Sequence, residues 1–394
     1  MRNMAVTQLP STSILSLLLA WLAFVVSPVL GACECGYTAT VKTAQPSTYL
    51  FTDIIESDFF HINDVTKDTD WVRQRFNQTP EAGRGPHGIN YTLGQTFSNP
   101  IPDHANWTGP GKFGGDPGMR LEVEGGIPAD NYVKTSQIVS NRTDLIWGSY
   151  RASIKLSPVA GTCAAFFWYF NNSQEIDMEF LSSQFNADNG SFPVNLVLQS
   201  EKSAKNGFNA AGTDSYVVTN LPFNPTTGFH EYRFDYVPGH ILFYADGTVL
   251  ANFNTSSSTP FEPGHLILTH WSNGNPLWSA GPPVSNATMS VGYVKSYFNS
   301  SSPDRQSSYT KKCKDPAAAG AICPIPEQNS LPDPSVVVGN TTAANTFFFS
   351  DDPSQSANQI VYKKSAGSRV ASANSLLMST FMLMGLSFGG LLIF

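Results

Sequence analysis

The stretch Gln174-Glu175-Ile176-Asp177-Met178-Glu179-Phe180 decides how this chain is read. Acidic and apolar residues alternate strictly, and a strand turns a period of two into two faces. Glu175, Asp177 and Glu179 share one face; Ile176, Met178 and Phe180 share the other. The apolar face belongs against a core, so the acidic face lines the outer, concave side of a sheet, under an open groove. Asp and Glu are poor strand residues, and like charges held close oppose one another's ionisation. An ordinary solvated strand face mixes Thr, Ser, Lys and Gln. A purely acidic row costs stability and points to chemistry.

Outward from this strand, residues from about Gly36 to Asn299 read as short strands separated by turn signals. Leu121-Glu122-Val123-Glu124, Arg151-Ala152-Ser153-Ile154-Lys155-Leu156 and Glu231-Tyr232-Arg233-Phe234-Asp235-Tyr236 alternate in the same way. Ala245-Asp246-Gly247-Thr248 lies between two apolar runs, and Asp-Gly suits a type I′ hairpin turn. Pro and Gly are too dense for long amphipathic helices. The pattern predicts an all-β chain built as one large β-sandwich. From about Ser300 to Lys364, Ser, Thr, Asn, Pro and Ala dominate and periodicity is lost. That composition predicts a disordered stalk, with Phe347-Phe348-Phe349 an unexplained exception.

Both ends read as targeting segments. Ile14 to Val26 is almost wholly apolar and is followed by the small residues Gly31 and Ala32, the pattern of a secretory signal peptide over 1–32. Ser365-Ala366-Gly367, a short polar spacer and the apolar run from Leu376 to Phe394 form a GPI-attachment signal over 366–394. Asn90, Asn106, Asn141, Asn171, Asn189, Asn254, Asn286, Asn299 and Asn340 each open Asn-x-Ser/Thr, which fits an extracellular glycoprotein. Charged residues make up 13% of the chain and aromatics 12%, and the net charge of −7 includes no basic stripe, so a nucleic-acid partner is excluded. An oxidising compartment favours disulfides among Cys33, Cys35, Cys163, Cys313 and Cys323. The spacing allows Cys313 and Cys323 to close a local loop and Cys163 to join Cys33 or Cys35. Five cysteines leave one thiol over, and spacing does not choose the pairing. No metal or cofactor motif is present: His230-Glu231 lacks a second His four residues on, and the Gly-rich run Gly109 to Gly118 lacks phosphate-loop spacing.

A glycosidase needs one carboxylate ionised and another kept protonated near neutrality, which a crowded acidic row supplies. Residues i and i+4 of a strand lie about 13 Å apart at Cα, and spacing alone does not separate retaining from inverting chemistry. Here the sequence resembles glycoside hydrolase family 16, whose signature Glu-x-Asp-x-Glu stands as Glu175-Ile176-Asp177-Met178-Glu179. The resemblance extends through Trp147 to Leu156, Gly161 to Trp168, Phe229 to Gly247, and Leu266 through Trp278, in the family's order. It implies a concanavalin A-like jelly roll and a retaining mechanism on β-1,3 or mixed β-1,3/1,4 glucan. Glu175 would be the nucleophile, Asp177 would orient it, and Glu179 would be the general acid/base. His230, Trp271, Trp278 and Trp168 are the expected substrate contacts, Trp168 being also a core candidate because of its aromatic run.

Cys163 stands where many family members have Trp, Asp235-Tyr236 replaces a common Glu-Trp pair, and Gly36 to about Arg142 carries no recognisable match. The expected layout is a signal peptide over 1–32, a catalytic domain over 33–300, a linker over 301–365 and an anchor propeptide over 366–394. The expected partners are a β-glucan polysaccharide and, through the anchor, the outer membrane leaflet or wall, with the protein monomeric. A wall transglycosylase is the alternative activity. A pure lectin has no need of three crowded carboxylates.

Overall fold

The computed structural model describes residues 33–103, 105–207, 209–254, 259–327 and 347–349, with the backbone alone of 337–338 and 341–342. The signal-peptide and anchor readings fall on 1–32 and 366–394, outside the described residues.

Strands dominate. The first are β1 (Tyr37–Val41), β2 (Ser47–Phe51), β3 (Asp53–Asp58), β4 (Trp71–Arg73), β5 (Phe76–Gln78), β6 (Gly88–Tyr91) and β7 (Thr96–Asn99). Then come β8 (Gly118–Val123), β9 (Tyr132–Ser140), β10 (Leu145–Lys155), β11 (Cys163–Asn171), β12 (Gln174–Leu181), β13 (Pro193–Gln199) and β14 (Tyr216–Asn220). The domain closes with β15 (His230–Val237), β16 (His240–Ala245), β17 (Thr248–Phe253), β18 (His265–Trp271), β19 (Ala287–Ser300) and β20 (Cys323–Pro324).

Two large sheets stack. The acidic sheet runs β14-β13-β12-β11-β18-β9-β6-β5, with β4 paired to β9; the back sheet runs β17-β16-β15-β10-β19-β8-β7, with β3 paired to β19. This is the expected all-β jelly-roll sandwich. Its core forms where Ile176, Met178 and Phe180 of β12 meet Tyr150, Phe234, Phe243 and Val294 of the back sheet. Those three β12 side chains are at most 1% exposed, and each contributes about 1.5–3 kcal/mol by leaving water. The same pleat turns Glu175, Asp177 and Glu179 to the opposite face. The Asp-Gly turn forms as read: β16 ends at Ala245, β17 begins at Thr248, and Asp246 and Gly247 take φ of 45° and 73°.

The C-terminal part departs from a free stalk. Pro303–Lys312 is helical, and β20 pairs in parallel with β1, seating Cys323 opposite Tyr37. The disulfides are Cys33–Cys323 and Cys35–Cys313, while Cys163 is a buried free thiol. The local Cys313–Cys323 loop and a Cys163 bridge are therefore both corrected. The chain's return brings together cysteines 278 and 290 residues apart, which local spacing does not reveal. Glu327 pairs with Arg233 at 2.8 Å on the outer face of the back sheet. Phe347 is 1% exposed against Phe60, Trp107 and Tyr293, its carbonyl accepts from Lys295 Nζ at 2.6 Å, and Phe349 packs on Tyr37 and Tyr297. The aromatic triple left unexplained by composition is thus a clip that fastens this segment to the back of the domain.

Candidate active site

Register determines what surrounds the acids. Glu175 lies opposite Tyr169 on one side and Gln199 on the other; Asp177 opposite Phe167 and Val197; Glu179 opposite Ala165 and Asn195. On β18, Ile267, Thr269 and Trp271 share this face, being opposite Phe167, Ala165 and Cys163. The small Ala165 beside Glu179 leaves space, and a cavity of about 10 Å³ opens there, lined by Ala165, Phe167, the three acids, Thr269 and Trp271. That is room for roughly one water.

The expected open groove is closed in this conformation. Glu175, Asp177 and Glu179 are 0%, 1% and 5% exposed. Part of the closure can be traced. The short helix Glu201–Lys205 follows β13 near one edge of the acidic sheet, and Arg84 follows the short helix Pro80–Gly83 between β5 and β6 at the opposite edge. Yet Arg84 Nη1 donates to the Gly207 carbonyl at 2.8 Å. The two loops can meet only by arching over the strands between them, on the face away from the core. Arg84 is itself held from behind: Asn275 Nδ2 donates to its carbonyl at 3.1 Å, and Asn273 Nδ2 donates to that of Gly83 at 2.5 Å.

Burial sets the electrostatics. It raises the Glu175 carboxyl well above the ordinary range, and the nearby charges of Asp177 and Glu179 raise it further. Asp177 is likewise raised well above its usual value, first by burial. Among the described residues no donor reaches either carboxyl, so their mutual contact requires a proton on one of the two. Glu179 is raised to about 7 by burial, opposed by donors from Trp278 and Cys163. Trp278 Nε1 lies 3.4 Å and Cys163 Sγ 3.6 Å from the same oxygen, Oε1. The row therefore holds a carboxyl poised for proton transfer near neutrality beside a pair that shares a proton.

Of the aromatic and histidine residues singled out by sequence, two reach this site: Trp271 lines the cavity and Trp278 bonds Glu179. His230 and Trp168 are corrected. His230 stands on β15 in the back sheet, bonded to Asp246 at 2.7 Å and stacked 3.5 Å from the Phe223 ring. Trp168 has the core parity of β11, is 0% exposed, and donates from Nε1 to the Leu145 carbonyl. Sequence reading missed Tyr169, Thr269, Asn195, Tyr216 and Arg84. Tyr216 OH donates to Asn195 Oδ1 at 2.7 Å beside Glu179. Alternation within β11 offered Tyr169, but only the inter-strand register selects the others. Among the described residues no cluster of His, Cys, Asp and Glu is arranged to hold a metal, and no helix is long and apolar enough to cross a membrane.

The family model for glycosyl hydrolases family 16 matches residues 111–294. The chain is 27% identical over 187 residues to a β-glucanase of Paenibacillus polymyxa, covering 46% of this chain and 68% of that protein. It is 28% identical over 130 residues to the β-glucanase of Paenibacillus macerans, covering 32% of this chain and 48% of that one. The match therefore spans about half to two thirds of these relatives' length. Congo red hypersensitive protein 1 of Saccharomyces cerevisiae is 26% identical over 139 residues, 35% of this chain and 25% of that protein. Among solved structures, the laminarinase catalytic domain of Thermotoga petrophila superposes with a TM-score of 0.47 at 14% identity, covering 63% of this chain and 97% of that one.

Proposed function

We propose that this chain is a retaining endo-β-glucan hydrolase acting on β-1,3 or mixed β-1,3/1,4 glucan. The observation that carries the reading is the row Glu175, Asp177 and Glu179 around one cavity, with Glu179 poised at about 7. The match of residues 111–294 to the family 16 model and the likeness to proteins named β-glucanase support the substrate class. Glu175, with the shared proton resting on Asp177, attacks the anomeric carbon while Glu179 gives its proton to the departing oxygen. The glycosyl–Glu175 ester is then opened by water, whose proton returns to Glu179. Two inversions retain the configuration. Trp271 and Trp278 supply aromatic surface beside the reacting bond.

Transfer to a second sugar is the alternative outcome: water and a sugar hydroxyl compete for one ester, and an acceptor sugar bound in the site takes the place of water. The signal-peptide and GPI patterns at the two ends support placement at the outer membrane leaflet or in the wall. The test is paired: reducing-end release from laminarin and mixed-linkage glucan, measured beside transfer to a labelled oligosaccharide. Glu175→Gln should abolish both; undiminished turnover in that variant overturns the reading.

A further inference from the structure

Cys163 and Trp278 both direct their donors to the same one of the two Glu179 carboxyl oxygens. Cys163 lies on β11 two residues from Ala165, the residue directly opposite Glu179, a diagonal that side chains can span. Its Sγ is 3.6 Å from Glu179 Oε1 and 3.8 Å from the Ala164 carbonyl, the carboxyl being the nearer acceptor. Trp278 Nε1 approaches the same Oε1 at 3.4 Å from the loop after β18.

We propose that Cys163 is a positioning residue which, with Trp278, holds Glu179 Oε1 as the carbonyl-type oxygen and presents Oε2 as the atom that delivers and recovers the proton. This rests on the proposed glycosidase reading and deepens it. A protonated carboxyl keeps its hydrogen on the oxygen that is not accepting bonds. With Oε1 accepting an S–H and an N–H, the acidic hydrogen stays on Oε2, and Glu179 lines the cavity that the glycosidic oxygen must enter. Burial holds the thiol well above its ordinary titration range, so it stays S–H and remains a donor. Cys163 touches no reacting atom in this scheme; it acts through Glu179.

The other titratable groups near Glu179 are Asp177 and Glu175 on its own strand, Tyr216 on β14 and, beyond Cys163, Tyr91 on β6. Tyr216 OH donates to Asn195 Oδ1 at 2.7 Å. Losing the thiol donor therefore disfavours the ionised carboxyl and moves the Glu179 titration upward.

The experiment compares wild type, Cys163→Ala and Cys163→Ser. In C163A the basic limb of kcat/KM should move to higher pH, and kcat should fall about fivefold, the equivalent of one ordinary hydrogen bond. C163S retains a donor and should restore most of both. A limb that stays in place in folded C163A overturns the proposal. So does a shift that C163S fails to reverse, which marks a packing role. If C163A does not fold, Cys163→Val carries the same readings with the side-chain volume kept. A carbon-13 titration of the Glu179 carboxyl in wild type and variant needs no substrate. It decides the role of Cys163 even where wild type shows no glucan turnover, a result that sinks the glycosidase reading alone.

Discussion

Arg84 and Gly207 are joined by a 2.8 Å hydrogen bond that links the two edges of the acidic sheet across its open face. Strand β12, with its acidic row, lies between those two edges. A glucan-bound form must break the contact or pass beside it. An exposed hydrogen bond from a charged donor contributes about 1–2 kcal/mol, so the contact is weak enough to yield to substrate.

Arg84→Ala should release the bridge without disturbing the core. Amide exchange around Glu201–Gly207 is expected to quicken by about tenfold, and the ratio of hydrolysis to transfer should rise as water gains entry. Unchanged exchange in this segment would show that other contacts hold it down.

The pH dependence of stability follows from Glu179. Its carboxyl is raised from 4.5 to about 7 in the folded chain, so between those values the native state holds a proton that the unfolded state has lost. The stabilisation is full below about 4.5 and declines as pH rises through 7. Glu179→Gln removes this loss. The variant should gain on wild type in denaturant midpoint as pH goes from 5 to 8, by at most about 3 kcal/mol. A difference that does not change with pH counts against a carboxyl kept neutral by burial.

Cys35→Ser should cost about 2–5 kcal/mol, because Cys35–Cys313 closes most of the domain into a covalent loop. The measure is thermal unfolding of the variant beside wild type under non-reducing conditions. A matching midpoint would mean that the partner bridge Cys33–Cys323 suffices alone.

Phe347→Ala tests the clip on the back sheet. Phe347 is 1% exposed, and Lys295 Nζ sits 3.2 Å from its ring centroid. Truncation should cost about 3–5 kcal/mol and change the fluorescence of Trp107, whose ring lies 5.5 Å away. Wild-type stability in this variant would show that the segment only rests on the surface.

How much of this was legible depended on whether the deciding physics was local. Alternation from Gln174 to Phe180 assigned the acids and the core of β12 correctly, since the pleat is set by neighbouring residues. The Asp246-Gly247 turn was readable for the same reason. His230 was misplaced because alternation separates inside from outside without saying which sheet a strand joins, and β15 joined the back one. Trp168 could have been excluded by parity, since Ala165, Phe167 and Tyr169, not Trp168, share the acid face. Arg84, Thr269 and the disulfide pairing were beyond reach, being settled by contacts across more than a hundred residues.

The clip formed by Phe347–Phe349 also gives the domain a rear and a front. Phe347 to Phe349 are held on the surface opposite the carboxylates by the Lys295 contact and by edge-on ring contacts. An attachment at that point would hold the domain from behind, with the acidic row turned the other way.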